Sequence, residues 1–100
     1  MKVVTICGSM RYADEMIKIA RELETQKGYC VIQPIYNDQK KTGSFSELET
    51  LYLNHNKKIE LADAIYVVNI NGYIGETTRS GIALAKACGK EIIYHEPIKK

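Results

Sequence analysis

The sequence predicts a three-layer α/β domain with a four-stranded parallel sheet in the order 2-1-3-4. Four short β-branched or aromatic runs alternate with three segments whose apolar residues fall at helical spacing. Glycines stop two of those helical segments, Gly28 after the first and Gly89 after the third. One hundred residues with no internal repeat or low-complexity stretch make one domain spanning 1–100. Right-handed crossovers then fold a βαβαβαβ chain into a parallel sheet covered by helices.

Taken in order, residues 2–6 form a β-branched run expected as a buried first strand. Over 12–27, Ala13, Met16, Ile17, Ala20 and Leu23 share one helix face, and Gly28 ends the helix. Residues 29–35 read as a second strand with Pro34 near its end, and 37–44 as a polar loop. Ser46 with Glu49 fits a capping box for a second helix carrying Leu48, Leu51, Tyr52 and Ile59. Asp63 is expected to cap or end that helix. Residues 64–69 form the third strand, 78–88 a third helix with threonine at its start, and 91–94 the fourth strand. Pro97 and the final lysines form a tail.

Composition excludes several classes of function. Hydrophobic residues at 45% and charged residues at 26% are ordinary for a globular domain. A net charge of +2, with acids interleaved among the bases, gives no basic face for a nucleic-acid polymer. The lysine pairs at 40–41, 57–58 and 99–100 read as solvated surface. No apolar run approaches the ~20 residues of a membrane span, and nothing resembles a signal peptide. Cys7, Cys30 and Cys88 are odd in number and sit in apolar stretches, so they read as reduced thiols of a cytoplasmic protein. His55 and His95 are far apart and no two cysteines are close, so neither a metal nor a cofactor is expected.

In such a sheet the ligand crevice lies at the carboxyl ends of strands one and three. Two loops face each other there. The first carries Cys7, Gly8, Ser9, Met10 and Arg11: a close-approach glycine, a hydroxyl and a guanidinium suited to a phosphate or carboxylate. It matches neither GxGxxG nor the Walker sequence, and the spacing of Cys7 and Arg11 does not suit a cysteine phosphatase. Strand one ends in Cys7 and strand three in Asn69, so there is no acidic pocket for receiver-type phosphorylation. The second loop runs from Asn69 through Gly72, Gly75, Glu76, Thr77 and Thr78 to Arg79. A strand feeding a glycine loop and then a helix aims backbone N–H groups over the sheet. Glu76 is the only carboxylate in it, able to act as an acid, to bind a ribose hydroxyl, or simply to favour the helix N-terminus. His55, one turn from Lys58, is placed to point toward the crevice mouth. Gly81 stands in the helix start with no side chain at all.

Three stretches carry a resemblance: 4–11 (VTICGSMR), 55–63 (HNKKIELAD) and 65–90 (IYVVNINGYIGETTRSGIALAKACGK). Together they resemble the nucleoside 2-deoxyribosyltransferase-like superfamily, which includes the 2′-deoxynucleoside 5′-phosphate N-hydrolases. The resemblance implies a flavodoxin-like or Rossmann-like sheet, pairing as a homodimer, and a small-molecule nucleoside or nucleotide ligand. It implies that Gly8, Ser9, Met10 and Arg11 hold the 5′-phosphate, with sugar or base near Asn69, Gly75, Thr77, Thr78 and Arg79.

The departures bear on activity. The family's nucleophile is a glutamate on the first turn of the helix after strand three, and that position, counted back from Gly89 and Lys90, is Gly81. The family's leaving-base aspartate falls, counted back from Asp63, at His55. The hydrolases' strand-one tyrosine is Thr5 here. Cleavage of a glycosidic bond through an oxocarbenium-like state uses a carboxylate at the anomeric carbon, and glycine supplies none. The expected protein is therefore a nucleotide or nucleoside binder, weakly active or inactive, in which Gly81 makes room for a bulkier ligand or a partner side chain. The alternatives are an active N-glycosidase or deoxyribosyltransferase using Glu76, with His55 assisting, and a nucleotide-sensing structural dimer. Tyr52 and Tyr73 are the candidate dimer contacts.

Overall fold

At the centre of the sheet β1 (Val3–Gly8) and β3 (Ala64–Val68) run parallel, paired from Val4 with Ala64 to Gly8 with Val68. In the computed structural model, which describes residues 1–36 and 44–98, β2 (Cys30–Ile32) flanks β1 and β4 (Glu91–Tyr94) flanks β3. All pairings are parallel and the order is β2-β1-β3-β4, as the alternation of runs predicts. The helices are α1 (Ala13–Gln26), α2 (Phe45–Leu61) and α3 (Glu76–Ala87). Short 3₁₀ turns, Met10–Tyr12 and Ile70–Gly72, link β1 to α1 and β3 toward α3. The expected loop over 37–44 lies mostly outside the described residues, as do the lysine pairs at 40–41 and 99–100.

Strand alternation divides the core between the two faces of the sheet. Ile6 and Val68 meet Met16, Ile19, Ala20 and Leu23 of α1. On the other face Cys7, Ile65 and Val67 meet Ile59 of α2 with Ile82 and Ala85 of α3. Ile17, assigned to the apolar face of α1 by spacing, is 49% exposed because it falls at the edge of that stripe.

Several boundaries differ from the sequence expectation for identifiable reasons. β1 continues through Cys7 and Gly8 because both pair with β3. Gly8 belongs there because a Cβ would lie 3.0 Å from Met16 Sδ and 3.1 Å from Val68 Cβ. β2 is cut to three residues, ahead of Pro34, which has no N–H to give a ladder. The α2 cap is Ser44, not Ser46: its hydroxyl accepts from the Glu47 N–H at 3.1 Å. Ser44 with Glu47 repeats the spacing of Ser46 with Glu49, and the helix takes the earlier start. Asp63 does not cap α2; its carboxylate accepts from the Val3 N–H at 2.8 Å and ties the start of β1 to β3. Thr5 performs a comparable task, donating from its hydroxyl to the Lys58 carbonyl at 2.8 Å in the last turn of α2. Cys7 is buried as expected for an apolar setting, whereas Cys30 and Cys88 are exposed, on an edge strand and at a helix end. No described helix is long and apolar enough to cross a membrane.

Candidate functional site

Because β1 and β3 are neighbours whose chains then turn to opposite faces, a cleft opens above their carboxyl ends. It has a volume of about 680 Å³. One wall is the loop after β1, contributing Cys7, Gly8, Ser9 and Met10. The opposite wall is the start of α3, contributing Gly75, Glu76, Thr77 and Thr78. A third wall comes from α2, with Leu48, Leu51, Tyr52, Asn54, His55, Lys57 and Lys58, and Pro34, Ile35 and Tyr73 complete it.

The α3 end is built to receive an acceptor. Its cap is Gly75, and no side chain there takes up the first N–H groups. The first bond of the helix runs from the Arg79 N–H to the Gly75 carbonyl at 2.9 Å. The N–H groups of Glu76, Thr77 and Thr78 thus belong to the orphan donors that every helix start presents. The expectation of a threonine cap and a helix beginning at 78 is corrected by this geometry: Glu76 is already the first helical residue. Thr78 is only 5% exposed and forms part of the cleft wall.

Gly8, Ser9, Met10, Gly75, Glu76, Thr77, Thr78 and His55 are brought together as the sequence anticipated. Three other candidates do not line the cleft, because their polar groups hold the scaffold. Asn69 is 2% exposed, and its amide grips the Glu96 backbone, donating to the carbonyl at 2.9 Å and accepting from the N–H at 2.7 Å. Arg79 is exposed and its Nε donates to the Ile74 carbonyl at 3.4 Å. Arg11 lies with its guanidinium carbon 4.1 Å from the centre of the Tyr73 ring, while Tyr12 meets the same ring edge-on. That stack spans the gap between the two loops. Tyr52 and Tyr73, the expected dimer contacts, both belong to the cleft wall.

Gly81 is buried, and it is not an opening in the cleft. A Cβ at this position would lie 3.2 Å from Ile59 Cδ1 and 3.9 Å from Cys7 Sγ. The tip of Ile59 therefore stands in tight contact with the start of any side chain here and must shift slightly to admit one. Of the two expectations for Gly81, room for a bulkier ligand or for a partner side chain, the first is corrected: the position faces Ile59 of α2 and does not line the cleft.

Beside Gly81 the structure places a pair that sequence reading left apart. Cys7 Sγ and His55 Nε2 are 3.6 Å from each other, although the residues are 48 positions apart. Burial pushes the Cys7 thiol up to about 12. Burial, with Lys58 nearby, lowers the His55 pKa from its ordinary value. Both groups are therefore neutral at pH 7, and the thiol donates to the imidazole or accepts from it according to tautomer. His55 Nδ1 is buried with no partner among the described residues. Among the described residues Glu76 is the only carboxylate on the cleft wall, which Lys57, Lys58 and His55 also line. Lys58 Nζ donates to the Gln33 carbonyl at 3.1 Å, and Lys57 lies 3.8 Å from Glu60. No group of three or more metal-ligating side chains occurs among the described residues.

Neither a known protein family nor a curated protein matches the sequence. Solved structures do match in fold. A 2-deoxyribosyltransferase from Leishmania mexicana superposes with a TM-score of 0.69 at 19% identity, over 94% of this chain and 63% of that one. A 2-deoxyribosyltransferase from the psychrotolerant bacterium Bacillus psychrosaccharolyticus gives 0.64 at 18% identity, over 97% and 77%. The CMP N-glycosidase BcmB of Clostridium botulinum gives 0.58 at 20% identity, over 93% and 70%. This chain thus spans under two thirds of the length of the Leishmania protein. The Rossmann-like fold implied by the three sequence stretches is the fold these proteins share with it.

Proposed function

We propose that the protein binds a nucleoside or nucleotide in this cleft and turns it over weakly or not at all by the carboxylate route. The 5′-phosphate rests on Gly8, Ser9 and Met10, with the sugar toward the N–H groups of Gly75, Glu76, Thr77 and Thr78. The base lies among Leu48, Leu51 and Tyr52. The observation that carries this reading is a glycine at position 81 packed against Ile59, next to a cleft lined by the glycine loop and an uncapped helix start. Its fold likeness to two deoxyribosyltransferases and a CMP N-glycosidase supports the ligand class. Arg11 joins the phosphate only by leaving the Tyr73 ring. Thermal-shift measurements against nucleosides and their 5′-monophosphates test the proposal: stabilisation is expected with at least one monophosphate. Failure of every one to raise the melting temperature would contradict it.

A second reading takes Glu76 as a relocated acid, favoured by its place as the sole carboxylate on the cleft wall among the described residues. It stands five residues before Gly81, more than one helical turn away. Free base released from deoxynucleotides and abolished in Glu76→Gln would establish it. Release that persists in Glu76→Gln would end it. Homodimer formation belongs to the same proposal: Phe45 is 82% exposed and Leu53 60% exposed on α2, and light scattering of the protein in solution reads the result.

A further inference from the structure

We propose that Cys7, paired with His55, is a thiol nucleophile for the anomeric carbon of the bound sugar, standing in for the carboxylate that position 81 lacks. This rests on the reading of the cleft as a nucleoside or nucleotide site. Three observations converge on the sulfur. It lies 3.9 Å from where a Cβ at position 81 would be, so it borders the place from which a side chain there would extend. Helical Cα–Cβ bonds tilt toward the helix N-terminus, which at α3 is the cleft end. His55 Nε2 is 3.6 Å from the sulfur, the juxtaposition of nucleophile and base on which thiol catalysis depends. Finally, both residues belong to the cleft wall, whereas Cys30 and Cys88 do not.

The resting pair is quiescent. Burial holds the thiol protonated and the imidazole neutral. A sugar whose anomeric carbon gains positive charge changes that balance, because the charge favours thiolate beside it. In the forward step the Cys7 S–H proton passes to His55 Nε2 and a sulfur electron pair forms the C–S bond. The C–N bond to the base breaks, its electron pair leaving with the base nitrogen. The imidazolium proton then neutralises the departing base, so the products are a free base and an S-glycosyl enzyme. In the return step a water oxygen attacks the same carbon, the C–S pair reverts to sulfur, and a water proton restores the thiol. Sulfur is a weak proton acceptor, so the return step lacks acid assistance and the glycosyl enzyme accumulates.

Intact-mass measurement and peptide mapping of the wild-type protein, after incubation with nucleoside and 2′-deoxynucleoside 5′-monophosphates, provide the test. The expected result is an increment of one sugar phosphate less water, on the Cys7 peptide alone, with Cys30 and Cys88 unchanged and free base in equal amount. Cys7→Ala abolishes the adduct while keeping nucleotide-induced thermal stabilisation, and His55→Gln slows its formation about 100-fold. Because the wild-type map locates the adduct directly, misfolding of a variant does not blunt the result. Nucleotide binding without any adduct overturns the nucleophile proposal and leaves the binding proposal standing. Base release unaffected by Cys7→Ala does the same. Absence of binding to every nucleotide overturns both.

Discussion

The two loops that face each other across the cleft are built from the same parts and used differently. After β1 and after β3 alike, the chain passes through a 3₁₀ turn before a long helix begins. The first loop is short: Ser9 accepts from the Arg11 N–H at 3.2 Å, the turn runs directly into α1, and Gly8, Ser9 and Met10 remain at the cleft. The second is longer and its polar groups hold Glu96, beyond β4, and the loop's own backbone. Asn71 has a φ of 56°, and its N–H donates to the Glu96 carboxylate at 3.1 Å. Asn69 grips the same residue's backbone, and Arg79 holds Ile74. Of this loop only Tyr73 and its far end, from Gly75 onward, line the cleft. Similar polarity in two loops therefore lines the cleft in one and largely holds the scaffold in the other.

The largest effect that would sharpen this contrast lies at the closed position. Ile59→Val removes the Cδ1 atom that stands 3.2 Å from a Cβ at 81. The double variant Ile59→Val, Gly81→Glu is expected to release base from a bound deoxynucleotide about 100-fold faster than wild type. Gly81→Glu alone gains less, and chromatography of free base distinguishes them. Equal, negligible release from both would contradict the proposal that the glycine at 81, packed against Ile59, limits the carboxylate route.

Next come the two scaffold tests. Gly8→Ala drives a Cβ into Met16 and Val68, with an expected loss of about 1–3 kcal/mol in denaturant unfolding. Asn69→Ala leaves the part-buried Glu96 backbone groups without their partner and is expected to cost about 1 kcal/mol. Its effect on nucleotide affinity is expected to be smaller than its effect on stability. A variant that keeps stability and loses binding would return Asn69 to the ligand.

How much of this was legible in the sequence follows from the range over which each signal acts. Strand order, helix faces and the glycine stops at 28 and 89 are local patterns, and the structure reproduces them, with φ of 71° and 70° at the two glycines. The Ser44 cap was ambiguous because two serine–glutamate pairs of the same spacing overlap. The cleft residues of the glycine loop and the start of α3 were also found, since a parallel sheet fixes where loops meet. What was missed depends on distant partners. Nothing local says that Asn69 is bound to Glu96, that Arg11 lies on Tyr73, or that Ile59 fills the space at Gly81. The pairing of Cys7 with His55 likewise required the packing of α2 against the sheet.

Smaller effects refine the electrostatics. His55 has a lowered pKa when folded, so the unfolded chain binds its proton first as pH falls. Its contribution to stability is present above the ordinary histidine range and declines as pH drops through it toward the folded value. The acid limb of the stability profile is expected to be shallower in His55→Gln, as read by thermal melts between pH 7 and about pH 5. Tyr73→Ala frees Arg11 from a solvent-exposed stack and is expected to change affinity for a 5′-monophosphate by about twofold to fivefold, leaving that for the unphosphorylated nucleoside unchanged.

A crystal structure of the protein with a nucleoside 5′-monophosphate would show directly what occupies the cleft. Phosphate is expected on Gly8, Ser9 and Met10, the anomeric carbon toward Cys7, and Ile59 still packed against Gly81 with no carboxylate at the sugar. A cleft empty at saturating nucleotide, or a sugar seated against the Glu76 carboxylate, would contradict this expectation.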